Sequence, residues 1–237
     1  MVQSTSWAVV IPAHNSSLNI RHTVDELSEY FKRKLLSGQV IIVENGSKDD
    51  TWEVMSSIEA TSLPFSLVIT RSEKGLGNAI REGLIHVSTD FVLITADDLP
   101  FGFSDIEQYF ERELSSDIAI GSKAHPETDG ERSISRKIMS VTFRIIRRVV
   151  LGLNFGDTQG SLMGHAALIC QLASETKQEN YLISTELIVL ADRRNSTIVE
   201  LPVSFRRAIR KSNINVIEDS IKMLRGLFEV RRSLKTN

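Results

Sequence analysis

Apolar residues recur along this chain in two alternating rhythms. Short continuous apolar runs give way to stretches in which apolar positions return every three or four residues. The first rhythm marks strands buried on both faces, the second helices with one buried side. Trp7–Pro12, Gln39–Val43, Phe65–Thr70, Phe91–Ile94 and Asp117–Gly121 read as strands, the first stopped by Pro12. Between the first two, Ile20, Val24, Leu27 and Phe31 keep a helical period, with Asn15, Ser16 or Ser17 placed to cap that helix. Further helices are predicted over 52–58, from the Lys74–Ala79 stretch through Val87, over 133–151 and over 181–194. Thr197–Ser204 is a strand interrupted by Pro202, which suggests a sheet edge or a bulge. Val216–Leu234 closes as an amphipathic helix with Ile217, Ile221, Leu224 and Phe228 on one face.

Strands that alternate with helices predict an α/β fold with a mainly parallel central sheet flanked by helices. In such a sheet, ligands sit beyond the carboxyl ends of the strands. Four successive strands end in polar or glycine-bearing loops, so these loops should form one site along one rim. The sharpest of them follows Phe91–Ile94, where Asp97 and Asp98 stand side by side before Leu99 and Pro100. Carboxylates placed there can hold Mg²⁺ or Mn²⁺ against phosphate oxygens, because hard cations prefer oxygen ligands. A solvated turn is the other reading, since Asp and Pro are turn residues. Gly75 and Gly77 suit either part of a phosphate loop or a tight turn into a helix. Lys74 beside them either reaches a phosphate or stands in solvent. Glu186, spaced four residues from Leu182 and Leu190, falls on an inward helix face, where an unpaired charge is costly. Its alternative is an exposed helical glutamate.

Composition narrows the class. The chain has 237 residues, of which 41% are hydrophobic, enough for a sizeable core. It reads as one domain over 1–237, with a nucleotide-binding half (1–130) and a basic, acceptor-binding half (131–237). The single cysteine, Cys170, excludes an intramolecular disulfide and sits in an apolar stretch as a packed thiol. No signal peptide is evident and no apolar run reaches bilayer-spanning length. A cytoplasmic protein is therefore expected. The net charge of −2 hides an asymmetry. Residues 1–130 carry 10 Lys and Arg against 20 Asp and Glu; residues 131–237 carry 18 against 10. A basic second half points to an anionic partner. Within it, the 133–151 helix mixes Arg and Lys with Ile, Val, Phe and Leu, the composition of a helix lying on an anionic membrane surface or of a core helix with a solvated basic edge. No aromatic platform accompanies these charges, which argues against nucleic acid.

Eight stretches in fixed order carry a resemblance. They are VVIPAHN (9–15), IIVENGSKDDT (41–51), KGLGNAIREG (74–83), FVLITADD (91–98), IAIGSK (118–123), SRKIMS (135–140), LGLNFGDTQG (151–160) and ELPVSF with RKS (200–212). Together they resemble family 2 glycosyltransferases of the GT-A fold, in the branch of polyprenyl-phosphate (dolichyl-phosphate) mannosyl- and glucosyltransferases. The resemblance implies inverting transfer of a sugar from a nucleoside diphosphate to a lipid phosphate, with peripheral membrane contact. It places Pro12, His14, Ser16 and the Glu44–Asn45–Gly46 turn around the nucleotide sugar, with Lys74, Thr95 and Ala96. It places Asp97 on metal and diphosphate with Asp98 as a second ligand, and Lys123 and Arg136 on phosphates. Arg207, Lys211 and Ser212 match a segment that closes over the donor. Asp157 would approach the donor sugar or the acceptor phosphate, although Asp also favours turns and helix caps.

Three family acids are altered here. Ser16 stands where the family has Glu, Glu44–Asn45 where it has Asp–Asp, and Thr95 opens what is otherwise Asp-x-Asp. One or two carboxylates suffice for Mg²⁺ when phosphates and water complete its shell, so Asp97 and Asp98 can serve. Two other functions stay open: transfer to a soluble hydroxyl acceptor, and a non-catalytic nucleotide-binding module. The acceptor decides what chemistry is needed. A hydroxyl requires a general base, for which Asp157 and Glu186 are the candidates, whereas a phosphate is already anionic.

Overall fold

The computed structural model describes residues 5–34, 36–112, 116–128, 134–206 and 216–234. The chain runs β1 (Ser6–Ala13), α1 (Ile20–Lys34), β2 (Ser37–Glu44), α2 (Thr51–Ser56), β3 (Ser66–Arg71), α3 (Leu76–Ile85), β4 (Phe91–Ile94) and α4 (Ser104–Glu111). It continues through β5 (Ile118–Ser122), α5 (Ile134–Leu151), β6 (Leu162–His165), α6 (Ala166–Glu175), α7 (Ile183–Arg193), β7 (Ile198–Pro202) and α8 (Val216–Ser233). Seven strands form one sheet in the order β3-β2-β1-β4-β6-β5-β7. All run parallel except β6, which is antiparallel to both β4 and β5.

The continuous apolar runs are explained by helices on both faces. Successive side chains of a strand point to opposite faces. Ala8 and Val10 of β1 therefore join Ile41 and Val43 of β2 in a layer with α3, α5, α6, α7 and α8. Trp7, Val9 and Ile11 join Val40 and Ile42 in the opposite layer with α1, α2 and α4. Each buried Val, Leu or Ile contributes roughly 1.5–3 kcal/mol, so the two layers hold the sheet rigid. Gly83 lets α3 settle directly on β1: a Cβ there would fall 2.5 Å from Val10 Cγ1.

The mainly parallel α/β fold expected from the pattern is present, and β7 with Pro202 does lie at the sheet edge. Helices α4 and α6 fall where the pattern predicts none, and three further details differ. The apolar pattern predicts no strand at Leu162–His165, because Leu-Met-Gly-His is too short and mixed to stand out. Pairing on both sides, with Met163 opposite Leu93 and Ala119, makes it a strand. Helix α1 begins at Ile20, and the Ser16 carbonyl rather than a side chain receives the amides of Asn19 and Ile20. Among the described side chains of α8, Leu227 and Val230 are buried, as is Leu234 just beyond it, while Phe228 is half exposed. The side chains of Ile217 and Ile221 lie outside the described residues. Among the described residues, no helix is long and apolar enough to cross a membrane.

Candidate active site

The carboxyl ends of β1 to β5 open onto a cavity of about 620 Å³. Because β6 is antiparallel, its amino end reaches the same rim and adds Gln159, Gly160 and Ser161 to the wall. Pro12 is the last but one residue of β1 and His14 follows the strand, Asn45 follows β2, Lys74 and Gly75 follow β3, Thr95, Ala96 and Asp97 follow β4, and Lys123 follows β5; all line the cavity. Tyr181 and Ser184, at the start of α7, line it too. The loops expected to share one rim thus line one cavity.

Behind the β1 and β2 loops lies a set of fixed polar contacts. His14 Nδ1 stands 3.2 Å from the Asn45 carbonyl. Buried Glu44 accepts the Ser47 amide at 2.5 Å, and Arg71 Nε lies 3.7 Å from its other oxygen. Gly46 has φ 79°, a conformation that suits glycine, and a Cβ there would press on Lys74 Cβ at 3.1 Å. Asp49 fastens the far side of this loop through Ser17 and Thr51. Desolvation opposes ionisation of Asp49, but those hydrogen bonds outweigh it and hold its carboxyl down at about 2. Asn45 is buried against the cavity and its Oδ1 has no hydrogen-bond partner among the described residues. A buried acceptor left open is costly, which marks it as a contact for a ligand's donor.

The β4 loop is held under strain. Leu99 has φ 42°, a left-handed conformation that costs an L-residue roughly 1–2 kcal/mol. Its burial in the core and its amide bond to the Ala96 carbonyl at 3.2 Å hold it there. The Asp97 carbonyl also accepts the Thr23 hydroxyl at 2.5 Å. Asp97 is thereby set on the cavity wall, whereas Asp98 does not line it.

The opposite wall rests on buried charge. Arg147 of α5 is 1% exposed; its guanidinium donates to Thr158 Oγ1 at 2.9 Å and to the Phe155 carbonyl. Burial pulls its pKa down, against the favourable fields of Asp157 and Glu200. Glu200 of β7 accepts the amides of Gly156 and Asp157 at 2.7 and 2.9 Å. The Asp157 carboxylate accepts the amides of Lys123 at 3.1 Å and Gln159 at 2.8 Å. Lys123 Nζ in turn donates to the Gln159 carbonyl at 3.3 Å and lies 5.9 Å from the Phe101 ring centroid. Asp105, buried on α4, lies behind this wall. Burial pushes its carboxyl above the usual range, while the neighbouring Ser161 hydroxyl and the Ile106 amide pull the other way. Below the ordinary carboxylate pKa, Asp105 is neutral in both folded and unfolded chains. Above it, ionisation favours the unfolded chain. Asp105→Asn is therefore expected to match wild type in Tm at about pH 3 and exceed it at about pH 8. Equal Tm values across that range would contradict a buried, reluctant acid.

Several expected site residues are placed differently. Glu186 does not line the cavity; its two oxygens meet the amides of Lys177 and Gln178 and the Ser233 hydroxyl. Asp157 likewise spends its carboxylate on amides behind the wall. Ser16 is fully buried, with its amide on Thr51 Oγ1 at 2.7 Å, and it does not line the cavity. Glu44 and Gly46 shape the turn under Asn45 and Lys74 rather than the cavity surface. The Arg136 side chain and residues Arg207, Lys211 and Ser212 lie outside the described residues. No signal in the sequence marks Phe101, Gln159 or Ser161, which sit in loops without periodicity, and Tyr181, at the start of the predicted 181–194 helix, lies in the turn before α7. Cys170 is half-buried and packs near the Leu84 carbonyl, as a packed thiol should.

Among the described residues, no three His, Cys, Asp or Glu side chains converge on a metal. Asp97 is the one carboxylate among them that lines the cavity. That donor set fits a cation held by one carboxylate, with substrate phosphates and water supplying the rest.

The model of the family "Glycosyl transferase family 2" matches residues 8–169. The chain belongs to this family. Its cavity is therefore that of a family 2 glycosyltransferase. A dolichyl-phosphate beta-glucosyltransferase of Saccharomyces cerevisiae is 28% identical over 246 residues, covering 94% of this chain and 73% of that protein. One from Dictyostelium discoideum is 24% identical over 240 residues, again covering 94% and 73%. Among solved structures, glucosyl-3-phosphoglycerate synthase from Mycobacterium tuberculosis with UDP superposes at a TM-score of 0.66 and 17% identity, over 97% of this chain and 79% of that one. The same synthase with Mn²⁺, UDP-glucose and phosphoglyceric acid gives 0.66 at 18% identity, with the same coverage. That likeness establishes the GT-A fold of the family 2 chain. The synthase has also been solved with Mg²⁺ and UDP.

Proposed function

We propose that this family 2 glycosyltransferase moves glucose from a nucleoside diphosphate to a polyprenyl phosphate. One observation carries the acceptor. Asp157 and Glu186, the carboxylates expected to act as a base, are both spent on backbone amides away from the cavity. Activating a hydroxyl needs a base, whereas a phosphate oxygen attacks as an anion. Lys74 and Lys123 on the walls suit two phosphate-bearing substrates. The names of the relatives supply the sugar and the lipid.

The step is one in-line displacement. A phosphate oxygen of the acceptor bonds to the anomeric carbon as the bond to the nucleoside diphosphate breaks, inverting that carbon. The electron pair leaves on the diphosphate, where Lys74 and Lys123 offset the new charge. Asp97 would hold Mg²⁺ or Mn²⁺, which when bound supplies further neutralisation of the leaving group. Asn45 presents an amide acceptor beside an amide donor. This matches the N–H and carbonyl edge of uracil or guanine, and cytosine lacks that N–H.

The outer face of α5 supports membrane contact. Val141, Ile145 and Val149 follow one another at four-residue spacing and are 43%, 57% and 76% exposed. Arg144 and Arg148 flank them, which is the chemistry of an anionic bilayer surface.

Calorimetric titration with UDP, GDP and CDP, each with and without Mn²⁺, tests the donor reading. Binding of UDP or GDP, strengthened by Mn²⁺, is expected. A folded chain that binds none of them would leave a non-catalytic module as the better account.

A further inference from the structure

Glu186, in the first turn of α7, is 1% exposed. Its Oε2 accepts the amides of Lys177 and Gln178 at 2.8 and 2.9 Å. Its Oε1 accepts the hydroxyl of Ser233, the last residue of α8, at 3.1 Å, a proton shared with the Val230 carbonyl at 2.8 Å. These three bonds satisfy a charge whose burial is otherwise costly.

The segment that Glu186 grips meets the glycine turn on its other side. The Glu179 carbonyl accepts the Gly77 amide at 2.8 Å. Arg81 of α3 donates to the Gln178 carbonyl at 2.8 Å and to Thr176 Oγ1 at 3.2 Å. The approach is so close that a Cβ on Gly77 would fall 2.1 Å from the Gln178 carbonyl oxygen. The glycine turn brings Lys74 and Gly75 to the cavity, and the gripped segment leads into Tyr181 and Ser184 on the same lining. Two stretches distant in sequence thus share one wall, and Glu186 fixes one against the other.

We propose that Glu186 is a positioning residue. Its carboxylate sets the 177–181 segment against the Lys74–Gly77 turn and, through Ser233, ties that wall to the end of α8. Its effect on transfer rests on the reading of the cavity as the donor site; its effect on the wall does not. Gln fits the same role, because one amide oxygen can accept both backbone amides while its NH₂ donates to Ser233. A general base has no such substitute.

The test compares full-length wild type, Glu186→Gln, Glu186→Ala and Ser233→Ala by hydrogen exchange, UDP binding and pH–rate profile. In Glu186→Ala, amides over 74–78 and 176–182 are expected to exchange about tenfold faster, with the sheet strands unchanged. The donor KM should rise about tenfold, kcat should fall by less than about threefold, and the pH profile should keep its shape. Glu186→Gln should restore all of these to within about threefold. Ser233→Ala should loosen 176–182 alone by about threefold, and it supplies the result if Glu186→Ala does not fold. A Gln variant that loses kcat and one limb of the pH profile would overturn the proposal in favour of a base. Exchange in 74–78 and 176–182 equal to wild type would overturn it too, as would faster exchange throughout with an unchanged KM. If wild type binds no nucleotide, the donor reading fails and the exchange comparison still decides the role of Glu186.

Discussion

Asp97→Asn is expected to lower the transfer rate by on the order of 10³-fold and to leave the fold intact. The substitution keeps the size of the side chain and removes its charge. Asp97 is the one described carboxylate on the cavity wall, so no neighbouring acid stands ready to replace it. Its backbone is set independently of its side chain, through the Thr23 hydroxyl on its carbonyl and the left-handed Leu99 two residues on. The turn should therefore survive while the cation and diphosphate lose their anionic anchor. Mn²⁺ should no longer strengthen UDP binding to this variant. A rate within tenfold of wild type would show that the lysines alone carry the leaving group.

Arg147→Met is expected to destabilise the chain by about 3–5 kcal/mol, the usual cost of removing one partner from a buried charge network. Methionine fills much of the same space but leaves the Phe155 carbonyl without the guanidinium donor, while Thr158 Oγ1 keeps its 2.8 Å bond to Thr185 Oγ1. It also leaves Asp157 and Glu200 facing each other across the Gly156–Asp157 amides without the cation that offsets both. The damage should reach the cavity, since Gln159, Gly160 and Ser161 continue that loop. A urea midpoint measured with and without UDP checks both consequences. A loss under about 1 kcal/mol would mean that the loop is held by β6 pairing alone.

Most of this fold is legible in the sequence because a strand buried on both faces must be apolar throughout. Val40–Val43 and Val92–Ile94 announce themselves in that way. β6 does not, since its identity comes from neighbours distant in sequence, β4 and β5, and its own Leu-Met-Gly-His carries no period. The site follows the same division. His14, Asn45, Asp97 and Lys123 stand immediately beyond apolar runs, so sheet topology alone brings them to one rim. For Glu186, helical spacing says that the carboxylate faces inward, and it does. Spacing does not say what it meets, and the Lys177 and Gln178 amides turn a candidate base into a clamp. Asp157 sits in a polar loop whichever role it plays. Only the Lys123 and Gln159 amides reveal that its oxygens are spent. Leu99 gives no warning at all, because its strain arises from a turn that the core on one side and Ala96 on the other impose.

The central claim is sugar transfer to a lipid phosphate, and the most direct test is product formation. The chain is incubated with Mn²⁺ and radiolabelled UDP-glucose or GDP-glucose, and with dolichyl phosphate in detergent, phosphoglyceric acid or a simple alcohol acceptor. Label passing into the organic phase with dolichyl phosphate, as a β-linked glucosyl phosphate, and absent with Asp97→Asn, is the result this account predicts. Label appearing on the alcohol or the phosphoglyceric acid, with none on the lipid, would contradict it.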